Sequence, residues 1–325
     1  MRFTLFLGFA LLTAAAEAAS PISQVLSCGT VGTVGGLGAG TDMQRFAVDT
    51  KRFPDAVCND GSPAIFYYGR YTDEADRNKW VIMLQGGGSC TNGQNCAERW
   101  CSVNTNYGMD KMTSTLSKPF IRGNGILDPG AQNRFGTWNR VLVYYCSSDL
   151  WSGTKTSTQH ATSGASGVDY GINFKGVRIL DAVIEALRRP ARGRATAPVG
   201  TSAHALPDLD SATHILFSGS SAGGIGTISN ADRVGAKLKA ANPALVFKAL
   251  IDAGFPPLSE TRDYSHTPAC LSNPQACNYT NVQQFSYANL DQGLYGAVPD
   301  ESCLAWHCIW TSKTRASAAK NGVVR

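Results

Sequence analysis

The stretch His214-Ile215-Leu216-Phe217-Ser218-Gly219-Ser220-Ser221-Ala222-Gly223-Gly224-Ile225-Gly226-Thr227-Ile228-Ser229-Asn230 carries an apolar run directly into a serine framed by glycines. Ile215 to Phe217 reads as a short buried strand, and the residues from Ala222 to Leu238 read as a helix that opens at the serine. Gly219, Ser221 and Gly223 match Gly-x-Ser-x-Gly, a sharp strand-to-helix turn that leaves a serine hydroxyl exposed because side chains at the flanking positions would collide with strand or helix. A helix that begins there also turns free backbone N–H groups, including that of Ala222, toward developing negative charge. Ser221 is therefore the candidate nucleophile. The bland alternative is a glycine-rich turn without chemistry, and the neighbouring strands bear on that choice.

Trp80 to Leu84 is a second apolar run, and it delivers the chain into Gln85-Gly86-Gly87-Gly88-Ser89-Cys90. Three glycines directly after a strand let main-chain N–H groups approach a substrate without side-chain interference. That is where half of an oxyanion hole is supplied beside a serine elbow, so Gly87 and Gly88 join Ala222 as candidate donors. Ala64 to Arg70, Arg140 to Tyr145 and Lys248 to Asp252 are further strand-like runs. Phe174 to Arg189 repeats apolar residues with helical period. Strands alternating with helices predict an α/β fold: a mainly parallel central sheet flanked by helices, with function at the strand C-terminal ends. The loop Cys146 to Gly153 follows one such end, and Asp149 in it is a candidate pocket residue.

A nucleophilic serine needs a base and an orienting acid, which follow it in the order Ser, Asp or Glu, His in this kind of fold. His266 and His307 are the histidines after Ser221. His307 sits between Cys303 and Cys308, where a local disulfide would hold a loop-borne imidazole, whereas His266 lies in a polar segment. Asp252, Asp263, Asp291, Asp300, Glu260 and Glu301 are the acids considered, and spacing does not decide among them.

Residues 1–18 carry one early positive charge at Arg2, an apolar segment from Leu5 to Ala16 and small residues before Ala16-Glu17-Ala18, the pattern of a secretory signal peptide. The apolar segment is shorter than the roughly 20 residues of a spanning helix, so no stable membrane anchor is expected. Residues 19–325 are expected to form a single domain. Ten cysteines behind a secretory signal predict disulfides in an extracellular or periplasmic protein, with Cys90–Cys96 and Cys270–Cys277 as short-range pairs. Cysteine and histidine spacing does not suit zinc, so neither metal nor cofactor is expected. Hydrophobic residues at 43% and charged residues at 16% allow a large core. The formal net charge of +5 is scattered without basic runs, which gives nucleic-acid binding no support and suits an anionic polysaccharide. Asn278-Tyr279-Thr280 is a glycosylation acceptor pattern.

Taken together, Leu84-Gln85-Gly86-Gly87-Gly88-Ser89-Cys90, Trp138-Asn139-Arg140-Val141, Tyr145 through Gly153, Gly219 through Gly224 and Asn230 through Val234 resemble the pectin acetylesterase family, which also includes the carboxylesterase Notum. Weaker similarity covers Ser286 to Gln292 and Ser302 to Cys308. The resemblance implies an α/β-hydrolase-like serine esterase needing no metal, with Ser221 as nucleophile, Asp291 as acid and His307 as base. It implies an oxyanion hole from Gly87, Gly88 and Ala222, and a Cys58–Cys146 disulfide. Gln85 stands where the family usually has Glu, and Ser89 where it has an aromatic residue. The acyl pocket, with Ser89, Asp149 and Trp151 as candidate lining residues, is therefore expected to be reshaped. The implied substrate is an acetylated polysaccharide such as pectin. A Notum-like deacylase of long acyl chains on protein or lipid is the alternative, and a catalytically silent secreted binding protein is the reading from another class.

Overall fold

The computed structural model describes residues 19–28, 37–90, 92–102, 107–155, 158–164, 166–188, 195–196, 206–254 and 323–324. Asp291, His307, His266, residues 1–18 and the cysteines from Cys270 onward lie outside the described residues. In chain order the elements are α1 (Ile22–Val25), β1 (Ala39–Val48), β2 (Ile65–Gly69), β3 (Lys79–Leu84), α2 (Gly93–Trp100) and β4 (Phe120–Ile121). There follow β5 (Asn139–Val143), β6 (Gln159–Thr162), β7 (Asp169–Ile172), α3 (Gly176–Leu187), β8 (Ala195–Thr196), β9 (His214–Ser220), α4 (Ala222–Ala241), β10 (Val246–Asp252) and β11 (Val323–Val324).

The strand-like runs at 65–69, 79–84 and 139–143 became adjoining central strands because they are buried on both faces, Asn139 and Arg140 included. Every residue of β2 and β5 is buried, and so are Trp80, Val81, Ile82 and Leu84 of β3. The sheet order is β11-β10-β9-β3-β5-β2-β1-β4, with β8 paired to β1. From β11 through β5 all neighbours are parallel, and β5, β2, β1 and β4 continue as antiparallel neighbours. The mainly parallel sheet therefore carries an antiparallel wing. β6 and β7 form a separate two-stranded ribbon.

This order positions the site. From β3 the chain returns to the sheet on one side as β5 and on the other as β9, so the strand order reverses between β3 and β9. A crevice opens outside the strand carboxyl ends at such a reversal. Leu84 pairs with Gly219 there, which brings the glycine loop after β3 level with the serine turn after β9. Helix α4 packs against β9, β10 and β3. Helix α3 lies beside it on the same face, joined by Arg233 to Asp181 and by Lys237 to Asp181 and Glu185, the last two at 3.6 and 3.3 Å. The apolar stripe of α3, from Val177 through Ile179, Leu180, Val183, Ile184 and Leu187, is buried as its period predicts.

Three disulfides are formed among the described residues: Cys28–Cys101, Cys58–Cys146 and Cys90–Cys96. The second and third were expected, whereas the first joins Cys28, just after α1, to Cys101, the cap of α2, across 73 positions.

Candidate active site

Ser221 is the residue before α4 and has φ 55° and ψ −121°, a left-handed backbone that a side chain rarely adopts. Its amide donates to the carbonyl of Asp252 at 2.9 Å, and its carbonyl accepts from Ile225 at 3.0 Å as the helix begins. The side chain is exposed. The steric reason for the surrounding glycines is visible atom by atom. A Cβ on Gly219 would strike the carbonyl of Gly223, and one on Gly223 would strike the carbonyl of Leu84. Gly224 lies against Gly254 after β10, where an added Cβ would come within 2.7 Å of the Gly254 Cα. The turn thus holds its shape only because strand ends and helix meet without side chains between them.

The glycine loop closes on the same point. A Cβ on Gly86 would sit 2.5 Å from the Ser220 carbonyl oxygen and 3.2 Å from the Ser221 Cβ. Gly87 and Gly88 have φ of +147° and +66°, which only glycine adopts without strain. The Gly87 carbonyl accepts from Arg99 Nη2 at 2.5 Å, and the Gly88 carbonyl accepts from the Tyr145 hydroxyl at 2.8 Å. Lys111 lays its methylenes along Gly87 while its ammonium pairs with Asp110 at 2.7 Å. Burial pushes the Asp110 carboxyl upward, against the opposing pull of Lys111. Tyr107, 50% exposed, sets its ring over Gly88, occupying the space a side chain there would need.

Gln85 is buried and structural: its side-chain oxygen accepts from the Tyr145 amide at 3.0 Å and its carbonyl from the Trp151 indole at 3.0 Å. Ser89 is partly exposed at the loop end. Asp149 and Trp151 were expected at the pocket, and the structure encloses both completely. Asp149 accepts from the Ser147 hydroxyl at 2.6 Å, from the Trp151 amide at 3.1 Å and from the Gly176 amide at 2.7 Å, so it caps the start of α3. Burial raises its carboxyl to about 6 although all three donors pull it down. Trp151 lies on Gly226 of α4, where an added Cβ would come within 2.5 Å of its ring, and Asn230 donates to its carbonyl at 3.0 Å. These side chains serve the scaffold beneath the elbow. Ser148, Leu150 and Trp151 all take positive φ, so that whole loop is held by its contacts.

What the arrangement can do is attack an electrophilic carbon with an exposed hydroxyl while backbone amides face the oxygen that becomes charged. The described residues bring together Ser221, Ala222, Gly87 and Gly88. Sequence reasoning passed over Arg99, Tyr107 and Tyr145 as site residues, because no local pattern in the sequence ties them to the glycine loop.

The family model for pectinacetylesterase matches residues 38–303. The chain belongs to the pectinacetylesterase family. It is 33% identical over 215 residues to the human palmitoleoyl-protein carboxylesterase NOTUM, covering 65% of this chain and 36% of that protein. A Drosophila melanogaster protein of the same name is 33% identical over 180 residues, covering 55% of this chain and 23% of its own length. The chain therefore spans about a third or less of these curated relatives. Among solved structures, that of the Wnt deacylase Notum from Drosophila superposes with a TM-score of 0.59 at 25% identity, covering 81% of this chain and 63% of that one. The pectinacetylesterase fold is α/β-hydrolase-like, as the sequence leads one to expect, with its parallel half carrying the elbow.

Proposed function

We propose that this family member is a secreted serine carboxylic-ester hydrolase, residues 1–18 serving as its export signal and 19–325 as one catalytic domain. The observation that carries the reading is the left-handed backbone of Ser221, which holds an exposed hydroxyl at the strand-order reversal beside Gly86, Gly87 and Gly88. Strain at such a position persists only where the surroundings enforce it, and here strand ends, glycines and helix all do.

In this mechanism His307 takes the Ser221 proton as the oxygen attacks the ester carbonyl, and Asp291 orients the imidazole and stabilises its cation. The carbonyl electrons move to the oxygen, which the amides of Gly87, Gly88 and Ala222 receive. Collapse expels the alcohol, protonated by His307, and leaves an acyl-enzyme. Water then attacks with the same base, releasing the acid and restoring Ser221. The preferred substrate is an O-acetyl group on pectin or a related polysaccharide. Tyr107 supports this choice, since its half-exposed ring over Gly88 offers a sugar an aromatic face next to the reacting carbonyl. A second reading, removal of a long acyl chain from a protein, is favoured by the likeness to the palmitoleoyl-protein carboxylesterases at 33% identity.

Hydrolysis of p-nitrophenyl acetate and p-nitrophenyl octanoate by the mature protein, beside Ser221→Ala, tests both. The acetate ester is expected to be the better substrate and the variant to be inactive. Preference for octanoate moves the assignment to the long-chain reading. A folded wild type inactive on either ester, and on acetylated pectin, makes the protein a silent binding relative.

A further inference from the structure

Two consecutive carbonyls of the glycine loop are turned into the protein and held there. Gly87 O accepts from the buried guanidinium of Arg99, and Gly88 O accepts from the Tyr145 hydroxyl. A trans peptide is planar, and its N–H points opposite to its C=O. No peptide among the described residues is cis. Holding the Gly87 oxygen inward therefore sends the Gly88 N–H outward, and holding the Gly88 oxygen does the same for the Ser89 N–H. Glycine at 87 and 88, with φ positive at both, would otherwise leave these planes free to rotate.

Arg99 is itself fixed to a degree that its short helix alone would not provide. Helix α2 has eight residues, too few to be stable in isolation. It is tied by Cys90–Cys96 before Arg99 and by Cys28–Cys101 after it. The guanidinium is oriented by a second bond, from Nε to the Ser148 hydroxyl at 3.0 Å. Tyr145 is oriented likewise, since its hydroxyl accepts from the Leu150 amide at 2.8 Å while donating to Gly88.

We propose that Arg99 and Tyr145 are positioning residues that together preset the Gly88 amide for the oxyanion by holding the peptide planes on either side of Gly88, and that α2 with its two disulfides is the mount for Arg99. The inference rests on the esterase reading. The bond from a charged donor also polarises the Gly87 peptide, which makes the Gly88 N–H a stronger donor. An amide that must be reoriented during the reaction loses much of what a preset one contributes, and a whole oxyanion donor is worth about 10²–10³ in rate.

The test is steady-state hydrolysis of p-nitrophenyl acetate by wild type, Ser221→Ala, Arg99→Met, Arg99→Lys and Tyr145→Phe, each checked for folding by thermal melting. Arg99→Met is expected to lower kcat by about 10- to 100-fold, a part of that donor's worth, with KM near wild type. Arg99→Lys keeps a cationic donor within reach of Gly87 and is expected to recover most of the loss. Tyr145→Phe, which removes one oxygen atom, is expected to lower kcat by about fivefold or more at unchanged KM. It decides the matter should Arg99→Met fail to fold. Folded variants with wild-type kcat, or losses confined to KM, overturn the positioning role while leaving the esterase in place. An inactive wild type overturns both.

Discussion

The amide nitrogen of Ser221 donates to the carbonyl oxygen of Asp252 across 2.9 Å, tying the serine turn to the last residue of β10. The bond uses the main chain of Asp252 and leaves its carboxylate exposed at the strand end. Asp252 was one of the acids that spacing alone left open, and its observed contribution to the elbow is a carbonyl that any residue could supply. Asp252→Asn is accordingly expected to keep kcat within about threefold, as for an exposed substitution. Asp291→Asn, by contrast, is expected to cost on the order of 10⁴, because an uncharged partner stabilises the wrong imidazole tautomer. Parallel kcat measurements on the two variants separate these roles, and a large loss confined to Asp252→Asn would reassign the acid.

Gly86 brings the β3 loop directly against the serine turn. A methyl at this position would sit 2.5 Å from the Ser220 carbonyl, a backbone atom that cannot swing aside. Gly86→Ala should therefore push the loop and the serine apart. Misplacement of about 1 Å between reacting groups is worth roughly 10² in rate. A loss of that size in kcat on p-nitrophenyl acetate is expected, in protein that still melts cooperatively. Near-normal activity would mean that loop and elbow move together without consequence.

What the sequence made legible followed from local chemistry. The strands at 65–69, 79–84, 139–143, 214–220 and 246–252 announced themselves as apolar runs, and α3 as an apolar stripe. Strand β1, Ala39–Val48, did not, because it lies in the antiparallel wing and mixes Thr41, Asp42, Gln44 and Arg45 with its apolar residues. Helix α2 did not either: in Gly-Gln-Asn-Cys-Ala-Glu-Arg-Trp the buried apolar face is only Cys96, Ala97 and Trp100, too short to read as helical period, and covalent ties across 73 and 6 positions help hold it. At the site, Ser221 and the three glycines were readable because a strained turn demands them locally. Arg99 and Tyr145 act on the loop from 12 and 57 positions away, a relation that exists only in the fold. Asp149 illustrates the converse, since a carboxylate in a loop at a strand end suggested a ligand contact, and three donors in the interior claimed it instead.

Tyr107 stands over Gly88 with half its surface open. If its ring supports a sugar beside the acetyl group, Tyr107→Ala should raise KM for an acetylated oligosaccharide by roughly 5- to 10-fold, the worth of one aromatic contact at about 1 kcal/mol or slightly more. Because p-nitrophenyl acetate carries no sugar, its kcat should stay close to wild type. Equal KM values for wild type and variant on the oligosaccharide would remove Tyr107 from the substrate path.

The buried carboxyl of Asp149 makes stability depend on pH in a direction opposite to that of a salt-bridged aspartate. Burial raises its folded pKa from 3.8 to about 6, so the folded state binds a proton more tightly than the unfolded chain. The associated stability is fully present below the unfolded value near 4 and is lost as pH rises through about 6. A shift of about two units corresponds to roughly 3 kcal/mol. Asp149→Asn does not titrate, and its amide would face the Gly176 N–H donor to donor, so the variant should be the less stable at every pH. The informative quantity is the difference between the two proteins in urea unfolding free energy. It should narrow between pH 4 and pH 6 and stay constant above about pH 7. A difference that does not change across that window would mean that Ser147, Trp151 and Gly176 fully compensate the burial, leaving the carboxylate charged inside the protein at no cost.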